Sequence, residues 1–202
     1  MSYDIMVDLE TMGTDTGSAF VSLGAVAFDL QKPYSPPGPG LTFYRNIDLQ
    51  SSLDIGRTIN GDTVYWWMSR SQEARESLMT PKPLPLKLVL QQFCEWYLAH
   101  HTRYQTCIWS HGLTFDVPMI ADAMRQVGMK TPWFFSNAND TRTILRKAGI
   151  KMPSADERAG GHNALSDAVL QVEYLLKAMA IIDGKVASTV PEEPEAIVRV
   201  EF

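Results

Sequence analysis

The chain places its acids where its hydrophobic runs stop. Tyr3-Asp4-Ile5-Met6-Val7 is short and apolar, and reads as a buried strand. It runs directly into Asp8-Leu9-Glu10. Side chains alternate faces along a strand, so Asp8 and Glu10 leave its end on the same side. Two ionised carboxylates that close repel one another, and a divalent cation between them reverses the penalty. In isolation the commoner explanation is plainer: two solvated acids at a strand end, or Asp8 capping a turn.

A second acid follows the next strand candidate, Thr106-Cys107-Ile108-Trp109-Ser110. His111 to Phe115 then turns into a helix whose first turn accommodates Pro118 without losing a hydrogen bond. Ile120, Ala123, Met124 and Val127 form the apolar stripe, and Gly128 ends it. Asp116 therefore sits at a strand-to-helix junction, where an acid also simply suits the helix N-terminus. The third acidic site opens the last helix. Leu165, Ala168, Val169, Val172, Leu175, Leu176 and Met179 follow the helical period and pack on a core. His162 precedes this helix behind Gly160-Gly161, which give its loop backbone freedom, and Asp167 lies near the first turn off the stripe. Packing or capping explains each residue singly. It does not explain why all three sites fall where strands end or helices begin, the place open α/β sheets put ligand chemistry.

Taken together, these segments resemble the DEDDh 3′–5′ exonuclease group of the ribonuclease H-like superfamily. Asp8-Leu9-Glu10-Thr11-Met12-Gly13 matches its first motif, Phe115-Asp116 its second, and His162 with Asp167 its third. Asp140-Thr141-Arg142-Thr143-Ile144 resembles the strand-to-helix segment between the last two motifs, and Thr63-Val64-Tyr65-Trp66-Trp67 resembles a subgroup of small bacterial and phage exonucleases akin to exodeoxyribonuclease VIII. The resemblance covers residues 3–182 and implies a mixed central sheet flanked by helices. It implies that Asp8 bridges two metal ions, that Glu10 and Asp167 complete the site of the water-activating metal, and that Asp116 reaches the second ion. Mg²⁺, or Mn²⁺ in its place, suits an all-oxygen set that keeps waters and takes a substrate phosphate. Two such ions clamp the attacking and leaving oxygens of an in-line displacement. His162 is implied as the general base, the product being a nucleoside 5′-monophosphate.

The resemblance further implies that the backbone at Thr11, Met12 and Gly13 holds the terminal nucleotide, with Leu9 or Met12 wedged against its base. Phe115 or Trp66 are candidates to stack on a base. Val64, Trp67 and Met68 have helical spacing, so Trp66 and Trp67 each read more readily as core. Arg142, Arg146 and Lys147 are candidate phosphate contacts, although a charge run on a helix is usually a solvated face.

Composition bounds the alternatives. The chain has 202 residues, 45% of them hydrophobic, enough for one domain with a good core. No apolar run approaches the roughly 20 residues of a membrane helix, and no signal peptide is expected. Cys94 and Cys107 are the only cysteines, which suits a reducing cytoplasm (a host's, if phage-encoded) over a disulfide scaffold. A net charge of −5 argues against tight non-specific duplex binding. The expected partner is single-stranded RNA or DNA with a free 3′ end; a homodimer is allowed. A nucleic-acid-binding module with a relict site, or a phosphohydrolase of small nucleotides, are the competing readings.

The expected organisation is α/β: an exonuclease domain over residues 1–184 and an acidic, proline-containing tail over 185–202. Strands are expected near 3–9, 20–29, 41–47 and 106–110, with a short one near 133–136, the first three forming an antiparallel meander. Residues 20–27 are apolar or small on both faces, as in a sheet covered on both sides. The proline-rich stretch 32–40 is a hairpin loop. Helices are expected over 61–69, 71–79, 86–100, 117–127, 140–149 and 163–182, with Pro81-Lys82-Pro83-Leu84-Pro85 separating two of them. In the tail, 196–202 alternates like a strand and is a candidate for pairing with a sheet edge or a partner, against a loosely packed end.

Overall fold

The computed structural model describes residues 3–79, 82–102, 105–157 and 162–185. Gly160, Gly161 and Pro81 lie outside these residues, as does all but the first residue of the tail, including its strand-like end.

The N-terminal strand β1 (Asp4–Thr11) is the centre of a five-stranded sheet ordered β3-β2-β1-β4-β5. Strands β2 (Phe20–Phe28) and β3 (Thr42–Asn46) form the antiparallel meander with it, while β4 (Ile108–Ser110) and β5 (Ala138–Asp140) continue the sheet in parallel. Alternation sorts the side chains of β1 onto two layers. Ile5, Val7 and Leu9 face a large core shared with α4 (Leu86–His100) and α5 (Asp116–Gln126), filled by Leu90, Phe93, Tyr97, Met119 and Ile120. Met6 faces the opposite layer, where Val26, Phe28 and Trp109 meet Ala168, Val172 and Leu175 of α7 (Ala164–Ile182). Both faces of β2 are buried along its whole length.

Three shorter helices precede α4. Helix α1 (Leu49–Leu53), capped by Asp48, escapes a periodicity search because five residues hold too little pattern. Helix α2 (Gly61–Met68) is capped by Asn60, whose side chain accepts from the amides of Asp62 and Thr63. Helix α3 (Gln72–Leu78) is capped by Ser71, and α6 (Thr141–Lys147) by Asp140. The buried guanidinium of Arg57 ties down the loop after β1: it donates to the carbonyls of Thr16 (2.7 Å) and Ser18 (2.9 Å) and pairs with Asp122 on α5 (3.2 Å).

The short strand expected at 133–136 is displaced. Trp133 is buried against Phe93 and Tyr97, and a single 3₁₀ turn (Phe135–Asn137) carries the chain to β5. Packing of the indole outweighs the β-propensity of the aromatic run, and the ladder forms with Ala138–Asp140 instead.

One contact sets the distance between α7 and the sheet. A Cβ placed on Gly24 would lie 2.3 Å from the carbonyl carbon of Ala164, so the first turn of α7 rests on bare strand backbone. Gly24 is the antiparallel partner of Asp8. Gly24→Ala is expected to destabilise the protein by about 1–3 kcal/mol, the usual cost of overpacking, measured as a fall in the urea midpoint at constant m-value. An unchanged midpoint would show that α7 can shift outward freely.

Candidate active site

Three of the expected acids converge. Oxygens of Asp8, Glu10 and Asp167 all lie within 4.8 Å of one another. Asp8 and Glu10 point from β1 toward α7, the side opposite Leu9, and Asp167 meets them from the first turn of that helix. Asp116 arrives from the other layer. Strand β4 pairs with β1 only as far as Met6, and beyond that point the Leu9 amide donates to Asp116 Oδ1 (3.2 Å). The carboxylate thus completes a ladder position that the short strand leaves open.

The electrostatics of this group are adverse. Glu10, Asp116 and Asp167 are buried. Burial first, then the nearby charges of Asp116, Glu10 and Asp167, hold the Asp8 carboxyl well above its ordinary range. Burial likewise pushes Asp116 up to about 7, against the opposing pull of backbone amides and of Arg142. Asp8 Oδ1 accepts from the neutral amide of Gln171 (2.7 Å), one turn beyond Asp167 on α7. An amide donor orients a carboxylate without neutralising it. A dense, all-oxygen acid cluster in this state fits divalent cations of the Mg²⁺ or Mn²⁺ type.

His162 lies beside this cluster rather than in it. Its backbone amide donates to Asp167 Oδ2 (3.1 Å), which ties the residue to the acids. Its ring has partners of its own: Nε2 meets Asp156 Oδ1 (2.9 Å), and the imidazole stands edge-on to Trp66 and Trp67, with centroids 4.9 and 5.8 Å away. Asp156, on a 3₁₀ turn (Ala155–Glu157), also pairs with Arg70 (2.6 Å), whose guanidinium lies over the Trp66 ring. His162 has φ 62°, a conformation that costs a non-glycine residue about 1 kcal/mol or more. Sequence reasoning missed Asp156, Arg70 and Gln171. Gln171 was accessible, being four residues after Asp167 on one helix face, whereas a three-residue turn has no period to read.

The cluster lies at the junction of two clefts that share Leu9 and Phe115 as a dividing ridge. One, of about 510 Å³, holds Glu10, Thr11, Asn60, Trp66 and Trp67. The other, of about 400 Å³, holds Asp8, Asp116, Asp167, His111, Arg142 and Gln171. Trp67 is core, with Nε1 donating to the Thr11 carbonyl (2.9 Å), whereas Trp66 is 38% exposed and lines the first cleft. Thr11 is buried and its hydroxyl donates to the Gly13 carbonyl (2.8 Å). The Met12 side chain leaves the clefts and lines an apolar pocket with Val64, Trp67 and Met68. At Gly13 the space of a side chain is taken by Ser18, whose Oγ would lie 2.4 Å from a Cβ.

The model of the 3′–5′ exoribonuclease Rv2179c-like domain family matches residues 3–179. The chain belongs to this family. It is 27% identical over 137 residues to an exodeoxyribonuclease of Enterobacteria phage T4, a match covering 62% of this chain and 57% of that protein. Its fold is that of DEDDh exonucleases. Escherichia coli exonuclease I, solved with a dT13 oligonucleotide, superposes over 90% of this chain and 41% of its own with a TM-score of 0.57 at 16% identity. The nuclease domain of 3′hExo, a DEDDh family member bound to rAMP, superposes over 91% of this chain and 93% of its own with a TM-score of 0.51 at 13% identity. The match thus spans little more than half of the phage protein and under half of exonuclease I.

The acid cluster has a thermodynamic consequence. Asp8 and Asp116 have raised folded-state values, so in chelator the folded protein is favoured at low pH and loses stability as the pH rises from about 4 through about 7. The melting temperature in EDTA is expected to fall across that range. Mg²⁺ or Mn²⁺ should raise it more at about pH 8 than at about pH 5, because the ion binds the deprotonated set. A metal-induced shift independent of pH would contradict the assignment of these carboxylates as ligands.

Proposed function

We propose that the chain is a metal-dependent 3′–5′ exonuclease that releases nucleoside 5′-monophosphates from single-stranded RNA or DNA. The observation that carries this reading is the convergence of Asp8, Glu10 and Asp167 within 4.8 Å at the meeting point of two nucleotide-sized clefts. Asp8, Glu10, Asp116 and Asp167 would hold two Mg²⁺ or Mn²⁺ ions. When bound, these supply charge stabilisation for an in-line displacement at phosphorus.

The chain's own residues do the rest. The terminal nucleotide occupies the cleft beside Glu10, where exposed Trp66 and the ridge residue Phe115 offer faces for a base. Leu9 at the ridge separates it from the next base. The strand then crosses into the cleft beside Asp116. His162 accepts the proton of the attacking water. Nε2–H donates a hydrogen bond to Asp156, which leaves the lone pair on Nδ1 and stabilises the imidazolium that forms. Arg70 and Trp66 keep Asp156 and the ring in place.

A gel time course on 5′-labelled single-stranded RNA and DNA of matched sequence, with Mg²⁺, Mn²⁺ or EDTA, tests the reading. A metal-dependent ladder that shortens from the 3′ end is expected, and Asp8→Ala should abolish it. Digestion of mononucleotide analogues without a ladder would replace the reading with a small-substrate phosphohydrolase. His162→Ala is expected to lower kcat by about 10²–10⁴-fold with little change in KM. Asp156→Ala should lower it less, because the ring remains. Equal losses of kcat in both variants, with a collapse of binding, would make this pair structural.

A further inference from the structure

The second cleft carries chemistry that hydrolysis leaves unused. Arg142 is the only Lys or Arg among the described residues that line either cleft. Its guanidinium makes no hydrogen bond or ion pair among the described residues, yet it is not adrift. Gly112, at φ +119°, lets the planar group settle against backbone, and a Cβ there would lie 3.3 Å from the guanidinium carbon. The charge is near enough to lower the Asp116 carboxyl.

Beside it stands His111, and its tautomer follows from hydrogen counting. The Thr141 hydroxyl has one hydrogen, which it donates to the Ser110 carbonyl (3.1 Å). The contact between His111 Nδ1 and Thr141 Oγ1 (2.9 Å) must therefore have Nδ1–H as its donor. Nε2 is left with a lone pair and no partner among the described residues, on a ring that lines the cleft. Burial, reinforced by Arg142, pushes the imidazole down to about 4, so the ring remains neutral at working pH. A fixed neutral acceptor next to a free fork of donors matches a hydroxyl next to a phosphate.

We infer that His111 and Arg142 form a ribose-reading subsite for the penultimate nucleotide, in which Arg142 pairs with its phosphate and His111 Nε2 accepts a hydrogen bond from its 2′-hydroxyl. The inference rests on the exonuclease reading and names the feature by which that site tells RNA from DNA. A deoxyribose leaves the Nε2 lone pair unmet in a partly buried site, which disfavours it.

The test uses the whole 202-residue chain, Mg²⁺ and short single-stranded RNA carrying one 2′-fluoro ribose, which cannot donate a hydrogen bond. At the penultimate position the substitution is expected to lower wild-type kcat/KM by about 3–10-fold, the worth of one neutral hydrogen bond. His111→Asn places its amide near Nδ1, so it keeps the Thr141 contact and loses the acceptor. In that variant the 2′-fluoro penalty should shrink to under about twofold. His111→Gln, whose carbonyl reaches the Nε2 position, should restore it. Arg142→Gln should raise KM for RNA and DNA alike and flatten its dependence on salt. No penalty in the wild type, a penalty confined to the terminal ribose, or the same penalty in His111→Asn would overturn the inference. The first two of these outcomes need no variant to fold. Failure of the wild type to shorten unmodified RNA or DNA would instead overturn the exonuclease reading, and this one with it.

Discussion

The site depends on how closely α7 approaches β2 at Gly24. Side chains between a helix and a sheet normally hold the two backbones apart. Here the first turn comes in against strand backbone, with no room for a methyl group at Gly24. The register makes the approach consequential, because Gly24 pairs with Asp8. Asp167 enters at the level of Asp8, and Gln171 lies one turn later to meet the same carboxylate. The apolar stripe below, Ala168, Val172 and Leu175 on Met6, Val26 and Phe28, anchors the helix. Burial of these side chains supplies the free energy that holds acids together against their repulsion.

Asp8 and Asp116 are oriented by uncharged groups. Asp8 receives an amide side chain and Asp116 a backbone N–H, both neutral donors. Two arginines are committed to other contacts: Arg57 holds the loop after β1, and Arg70 pairs with Asp156. Arg142 lies against the backbone of Gly112, where its charge lowers the Asp116 carboxyl. A salt bridge made within the cluster would occupy the oxygens a metal needs. The fold thus retains a locally adverse arrangement of buried, mutually repelling acids, as expected where function and stability compete.

Most of this was legible in the sequence, for physical reasons that also mark where legibility stopped. Alternation along β1 put Asp8 and Glu10 on one face, and helical period put Asp167 beside the stripe of α7. The same alternation fails just past Glu10. A register shift between Glu10 and Thr11 re-aims the residues beyond it: of Leu9 and Met12, the two candidates to wedge against the terminal base, Leu9 lines both clefts and Met12 lines an apolar pocket. The tryptophan pair behaves as neighbours about 100° apart on a helix must: Trp67 is buried and Trp66 reaches the cleft. The fifth strand was misplaced because local propensity favoured the aromatic run, while burial of Trp133 decided the outcome. Asp156 had no local signature, since its importance arises only where a turn, α2 and the His162 loop meet in space.

The charge of the chain and the charge of its proposed substrate have to be reconciled at the clefts. The molecule is acidic overall, and the two clefts together present four clustered carboxylates and Asp62 against one guanidinium. A polyanion entering such a surface meets like charge, and within the Debye length of roughly 8 Å that repulsion is poorly screened. Arg142 alone cannot reverse it. The carboxylates must therefore be neutralised before or as the strand enters, which makes substrate affinity and metal occupancy linked quantities: each raises the other by the same factor. Under the proposed function, stacking on Trp66 and Phe115 is the part of binding that does not depend on charge, and it acts on the terminal base. On that reading an acidic chain gains little from the long backbone of a nucleic acid and most from its end.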